Sequence, residues 1–143
     1  MIKTILTYPK DEKTLSQISN KVEQNEDIKE LVQDLKDTLH SQPEGRGLSA
    51  IQIGVPKQVC ICLWGDEEIV MINPKIVRSR GEQEFSEGCL SAPGKVAKVT
   101  RFQKVWCEYT DENGEQKEIA EGGRMSDIIQ HEMDHFQGIC KVL

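Results

Sequence analysis

Apolar side chains at Ile28, Leu31, Val32, Leu35 and Leu39 recur at steps of three and four, which predicts an amphipathic helix from Asp27 to Ser41. The run Gln42-Pro43-Glu44-Gly45-Arg46-Gly47 carries Pro and Gly and ends it. Beyond it the period changes from helical to alternating. Ile51 to Val55 and Gln58 to Trp64 read as strands, and in the second Val59, Ile61 and Leu63 alternate with Cys60 and Cys62. Gly65-Asp66 predicts a turn and Glu68 to Ile72 a short strand. Asn73-Pro74 punctuates it, and Lys75 to Ser79 continues extended. Lys95 to Thr100 and Lys104 to Tyr109 read as strands, and Asp111-Glu112-Asn113-Gly114 predicts a hairpin turn into a return strand from Gln116 to Ala120. Gly122-Gly123 breaks the pattern. Ser126 is then the expected N-cap of a helix from Asp127 to Gln137, closed by Gly138. The expected class is α+β, with antiparallel strands packed around a central helix and an amphipathic helix towards the N-terminus.

A length of 143 residues fits one domain, 1–143, around a single core. A net charge of −6 argues against direct nucleic-acid binding, which demands clustered Lys and Arg. No apolar run approaches the roughly 20 residues that cross a bilayer, and the first ten residues show no signal-peptide pattern. The expectation is therefore no membrane association and a cytoplasmic location. The five cysteines, Cys60, Cys62, Cys89, Cys107 and Cys140, are odd in number and form no spaced framework, so they read as reduced thiols.

Chemistry concentrates in the last predicted helix. Gln130-His131-Glu132-Met133-Asp134-His135 contains His-Glu-x-x-His. Residues i and i+4 share a helix face, so His131 and His135 can point at one metal ion. Glu132, about 100° further round, can handle the proton of a metal-activated water. A catalytic metal usually has three protein ligands, so one is missing. His40, at the end of the first helix, reads as a surface residue. Cys89, in Glu87-Gly88-Cys89-Leu90-Ser91, is the better candidate, because Gly88 permits close backbone approach; the competing reading is a small buried hydrophobe. A further segment, Gly45-Arg46-Gly47-Leu48-Ser49-Ala50-Ile51-Gln52, reads alone as a tight turn entering a strand, and it lacks the Gly-Lys-Ser/Thr of a phosphate loop.

Taken in order, Gly-x-Gly-Leu-Ser-Ala-x-Gln, Glu-Gly-Cys-Leu-Ser and Gln-His-Glu-x-Asp-His resemble the three signature motifs of the peptide deformylases. The likeness extends to Ile5-Leu6 with Tyr8-Pro9, which looks like that family's N-terminal strand, and to Ile72-Asn73-Pro74 and Ser91-Ala92-Pro93-Gly94. The resemblance implies removal of the formyl group from the formyl-methionine of nascent polypeptides, with release of formate. It implies Cys89, His131 and His135 as metal ligands and Glu132 as proton carrier. Gln52 and the backbone N–H of Leu90 would stabilise the oxyanion. Gly47 matches the position beside the substrate backbone, and Arg46, Gly88 and Ile128 would border the substrate. Arg101 and Asp134 match a supporting ion pair, and Glu87 would anchor the Cys89 loop. The implied ion is Fe(II), with Zn(II), Ni(II) or Co(II) able to substitute. The implied partner is the formyl-methionyl nascent chain at the ribosome exit, met by a monomer. The short segment after His135 resembles compact bacteriophage forms, so a bacterial or a phage-infected cytoplasm is the expected setting.

Three positions depart from the family pattern. Arg46 stands where an aliphatic residue is usual, and Arg124 and Asp127 replace apolar or differently charged residues ahead of the motif helix. They predict a more polar pocket rim and a changed substrate preference. The alternatives are a deformylase-like protein that binds formylated peptides without turnover and a zinc endopeptidase. The endopeptidase is disfavoured by the Cys ligand and the small size.

Overall fold

The computed structural model describes residues 1–143. A five-stranded antiparallel meander, in the order β1-β2-β3-β4-β5, is packed with three helices. The strands are β1 (Gly47–Ser49), β2 (Val59–Trp64), β3 (Glu67–Glu87), β4 (Ala97–Thr110) and β5 (Gln116–Gly122). The helices are α1 (Glu12–Leu15), α2 (Lys29–His40) and α3 (Gly123–Phe136). The architecture is α+β.

β2 explains the layering. Val59 and Ile61 face α2, in a core with Val32, Leu35, Leu39 and Leu48. Cys60 and Cys62 face the other way, towards Met125, Ile128, Ile129 and Phe136 of α3. A strand covered on both faces needs apolar side chains at every position, and cysteine supplies small ones on the side where α3 lies close. All five cysteines are free thiols. Each fully buried leucine of α2 contributes ~2 kcal/mol by leaving water.

Several boundaries differ from the sequence reading. Ile51 to Val55 is not a strand: β1 occupies Gly47–Ser49, and Ala50–Ile53 is a turn of 3-10 helix. Local hydrogen bonds decide this, because Ser49 N–H donates to Gln52 Oε1 at 2.9 Å and the pair closes a capping box. Asn73-Pro74 does not end a strand. β3 runs through it with a register shift between Ile72 and Lys75, and Asn73 Nδ2 donates to Val22 O at 3.0 Å. Lys95 to Thr100 and Lys104 to Tyr109 are parts of one strand, β4, paired along the whole upper length of β3. Ser126 is not an N-cap. α3 begins three residues earlier, at Gly123, and Ser126 Oγ instead donates to Phe102 O at 2.9 Å, tying the helix to β4. Ile5-Leu6 joins no strand of the sheet. Single bonds, Leu6 N to Gln52 O and Tyr8 N to Ser91 O, both 2.8 Å, hold that segment against the two loops of the site. His40 is exposed and contacts Glu68.

Candidate metal centre

α3 lies under the sheet with ten of its residues buried, His131, Glu132 and His135 among them. The loop after β3 brings Cys89 over the same helix face. The ligand atoms of Cys89, His131 and His135 all lie within 4.8 Å of one another. His131 Nε2 and His135 Nε2 are 3.3 Å apart, and Cys89 Sγ is 3.5 Å from His135 Nε2. A tetrahedral ion bound at ~2.0–2.1 Å to nitrogen and ~2.3 Å to sulfur demands edges of about 3.3 Å and about 3.6 Å. Both edges at His135 match those values, and the third, from Cys89 Sγ to His131 Nε2, lies within 4.8 Å, so the donor set suits one divalent ion.

The surrounding bonds orient these ligands. His131 Nδ1 donates to Glu87 Oε1 at 2.8 Å, which leaves Nε2 free to ligate. Glu87 accepts both forks of Arg101, Nε at 2.8 Å and Nη2 at 2.9 Å, and Arg101 Nη1 reaches Asp134 at 2.6 Å. Arg101 and Glu87 are both buried, so this is a fully desolvated pair spanning β3, β4 and α3. Burial opposes ionisation of Glu87, but the Arg101 and His131 hydrogen bonds outweigh it and hold the carboxyl well below the usual range. Likewise burial disfavours charge on His131, yet the Glu87 hydrogen bond raises it to about 9. His135, buried near that positive ring, is pushed down to about 3, and its Nδ1 has no partner. Without a metal the Cys89 thiol is held far above its ordinary value by its hydrogen bond to Cys140 and by burial. A divalent ion held by these residues would require Cys89 as thiolate and His131 neutral, so binding would release protons.

Glu132 adjoins the cluster. Ser49 Oγ lies within hydrogen-bond reach of Glu132 Oε1 (3.0 Å) and Glu132 O (2.8 Å). Burial raises this carboxyl to about 7, against the opposing pull of His131 and Ser49. Its other oxygen packs against Gly47. A Cβ built on Gly47 would stand 2.5 Å from Glu132 Oε2, so any other residue there displaces the Glu132 side chain. Gln52, bonded to the Ser49 amide through Oε1, directs Nε2 at Ser91 Oγ (2.9 Å) and Cys89 Sγ (3.8 Å). The Leu90 N–H donates to no backbone carbonyl. A cavity of about 920 Å³ opens in front of these groups, and Arg46, Gly47, Gly88, Leu90, Arg124 and Ile128 line it.

The structure thus brings together every site residue named from the sequence. Three contributors escaped that reading. Ser49 and Ser91 belong to the quoted motifs but hold the site only through contacts that the chain order does not reveal. Cys140, whose thiol is pushed down to about 6 by its hydrogen bond with Cys89, carries no spacing signal.

Comparison with known proteins supplies the family. The model of the polypeptide deformylase family matches residues 2–142. A peptide deformylase of Aquifex aeolicus is 38% identical, over 99% of this chain and 86% of its own. The crystal structure of a peptide deformylase from Legionella pneumophila superposes with a TM-score of 0.91 at 38% identity, covering 100% of this chain and 86% of that one. One from Ehrlichia chaffeensis, solved in complex with actinonin, gives a TM-score of 0.91 at 34% identity, covering 99% and 88%. With the three motifs in order, the ligand cluster assembled and the likeness running from end to end, this chain belongs to the polypeptide deformylase family.

Proposed function

We propose that residues 1–143 act as one catalytic unit in which Cys89, His131 and His135 hold a divalent ion and Glu132 moves the proton. The family supplies the reaction, hydrolytic removal of the N-terminal formyl group from nascent polypeptides with release of formate. When bound, the ion supplies Lewis acidity and lowers the pKa of a water.

The chain's own residues do the rest. Ser49 occupies Glu132 Oε1, so Oε2 is the atom that takes a proton and hands it to the leaving amine. Burial raises this carboxyl above the usual carboxylate range, which favours its taking up a proton before passing it on. Gln52 Nε2 and the Leu90 N–H, from two different loops, serve as donors for charge developing on the formyl oxygen. β1 is one of the two edge strands of the sheet, so Gly47 can pair with an extended substrate backbone. Arg46, Gly88 and Ile128 border the substrate, while Arg101 and Asp134 brace α3 through Glu87. Fe(II) is the ion in the cell, and Zn(II), Ni(II) or Co(II) substitutes. The protein works as a monomer in the cytoplasm, on chains emerging from the ribosome, without contacting nucleic acid itself.

The observation that carries this reading is the three-ligand cluster, two buried histidines and a half-buried Cys89, with Glu132 beside it in an open cavity. The test is formate release from formyl-Met-Ala-Ser by anaerobically purified, Fe(II)-loaded protein beside Glu132→Ala. Release that disappears in the variant, while both proteins bind metal, is expected. A folded, metal-loaded protein that releases no formate would overturn it.

A further inference from the structure

The mouth of the cavity does not share the negative balance of the chain. Arg46, Lys95 and Arg124 line it, whereas the acids Glu87, Asp127 and Glu132 are buried behind them and only Glu44 faces solvent. Arg46 Cζ lies 5.1 Å from the centre of the Trp64 ring. Arg124 Cζ lies 6.0 Å from the same ring and 5.2 Å from that of Phe85. One half-exposed indole thus fixes two guanidinium groups at the rim.

Stacking positions a guanidinium without consuming its N–H groups. Arg124 spends a single nitrogen, Nη1, on Ser86 O (3.1 Å) and Asp127 Oδ2 (2.9 Å). Its Nε and Nη2 have no acceptor, and Arg46 makes no ion pair at all. Two preset forks with unused donors, at a cavity that Lys95 also lines, suit a carboxylate in charge and in planar geometry. The charge of Arg124 is offset in part by Asp127, so Arg46 carries the larger share.

We propose that Arg46 and Arg124 form a carboxylate subsite that selects formylated peptides with an acidic side chain just after the formyl-methionine. This rests on the deformylase reading. The test uses metal-loaded enzyme and C-terminally amidated formyl-Met-Glu-Ser, formyl-Met-Gln-Ser and formyl-Met-Lys-Ser. It reads formate release as kcat/KM and peptide affinity through Trp64 fluorescence.

The Glu peptide should exceed the Gln peptide by about tenfold, equivalent to ~1.4 kcal/mol, with the Lys peptide lowest. The preference should shrink as salt rises. Arg46→Ala should bring the Glu-to-Gln ratio to about two, Arg46→Lys should restore part of it, and Arg124→Leu should lower it less. A wild-type ratio near one, or a ratio that Arg46→Ala leaves unchanged, would overturn the proposal. So would a gain seen only with a free C-terminal carboxylate on the Gln peptide. Tighter, Arg46-dependent binding of the Glu peptide without formate release would uphold the subsite and defeat the hydrolase reading instead.

Discussion

Gly47→Ala separates the role proposed for Glu132 from metal binding. The added Cβ would lie 2.5 Å from Glu132 Oε2 and 2.9 Å from both Cδ and Cγ. Ordinary contact begins near 3.4 Å, so the carboxylate must retreat by about 0.9 Å. It has little room to do so. Glu132 is buried, and its other oxygen is held by Ser49. A misplacement of about 1 Å at a reacting group costs on the order of 100-fold in rate. The assay is formate release from formyl-Met-Ala-Ser with metal content measured on the same samples. We expect kcat to fall about 100-fold with metal stoichiometry intact, since the three atoms nearest the added Cβ all belong to Glu132. Combined with Glu132→Ala, the substitution should cost nothing further, because both act on one group. A kcat within a factor of about three of the parent would refute the reasoning, and so would loss of metal in place of turnover.

Other substitutions test the frame. Arg101→Met strands the buried carboxylate of Glu87; about 3–5 kcal/mol of stability should be lost in denaturant titrations, and metal affinity should fall ~10–100-fold because His131 loses its oriented partner. Gly138→Ala combines a φ of +73° with a Cβ 2.3 Å from Ser16 O, a backbone atom, so α3 must part from the α1 segment. A loss of about 3 kcal/mol or more is expected, and an unchanged Tm would contradict the packing. Glu121 is raised to about 7, first by burial and then by the neighbouring Glu67. The folded state therefore binds more protons than the unfolded state between the ordinary carboxylate range and 7, and stability drops as pH rises through that window. Glu121→Gln should accordingly raise Tm at pH 8 more than at pH 5, and an equal shift at both would remove the coupling.

Particular residues show where the sequence stops being legible. The histidine pair is visible because a helix turns local spacing into a shared face, and Val59 and Ile61 are visible because a strand does the same with period two. Those periodicities are properties of the chain itself. They sufficed for α2, β2, β5 and the type, if not the start, of α3. The same holds for the three motifs, whose order along the chain carried the family resemblance. The start of α3 was misread because Ser126 is a good N-cap in isolation, whereas β4 offers its hydroxyl the Phe102 carbonyl instead. The segment after Ser49 was misread because its apolar alternation favours a strand, while Gln52 closes a capping box whose reward is local.

What the tertiary structure alone decided is how distant groups meet. Cys89 stands 42 residues before His131, and nothing along the chain requires its sulfur to lie 3.5 Å from His135 Nε2. The long β3–β4 pairing does that, by carrying Glu87 and Arg101 to the helix and fixing the loop between the strands. The same closure buries Glu132 and so raises its carboxyl, and it gathers Arg46, Trp64 and Arg124 from three separate elements onto one rim. Residue types and short-range periods set which chemistry was possible. Burial and long-range register set the pKa values, the ligand geometry and the charge of the mouth, because solvation and Coulomb interactions depend on distance through space and not on distance along the chain.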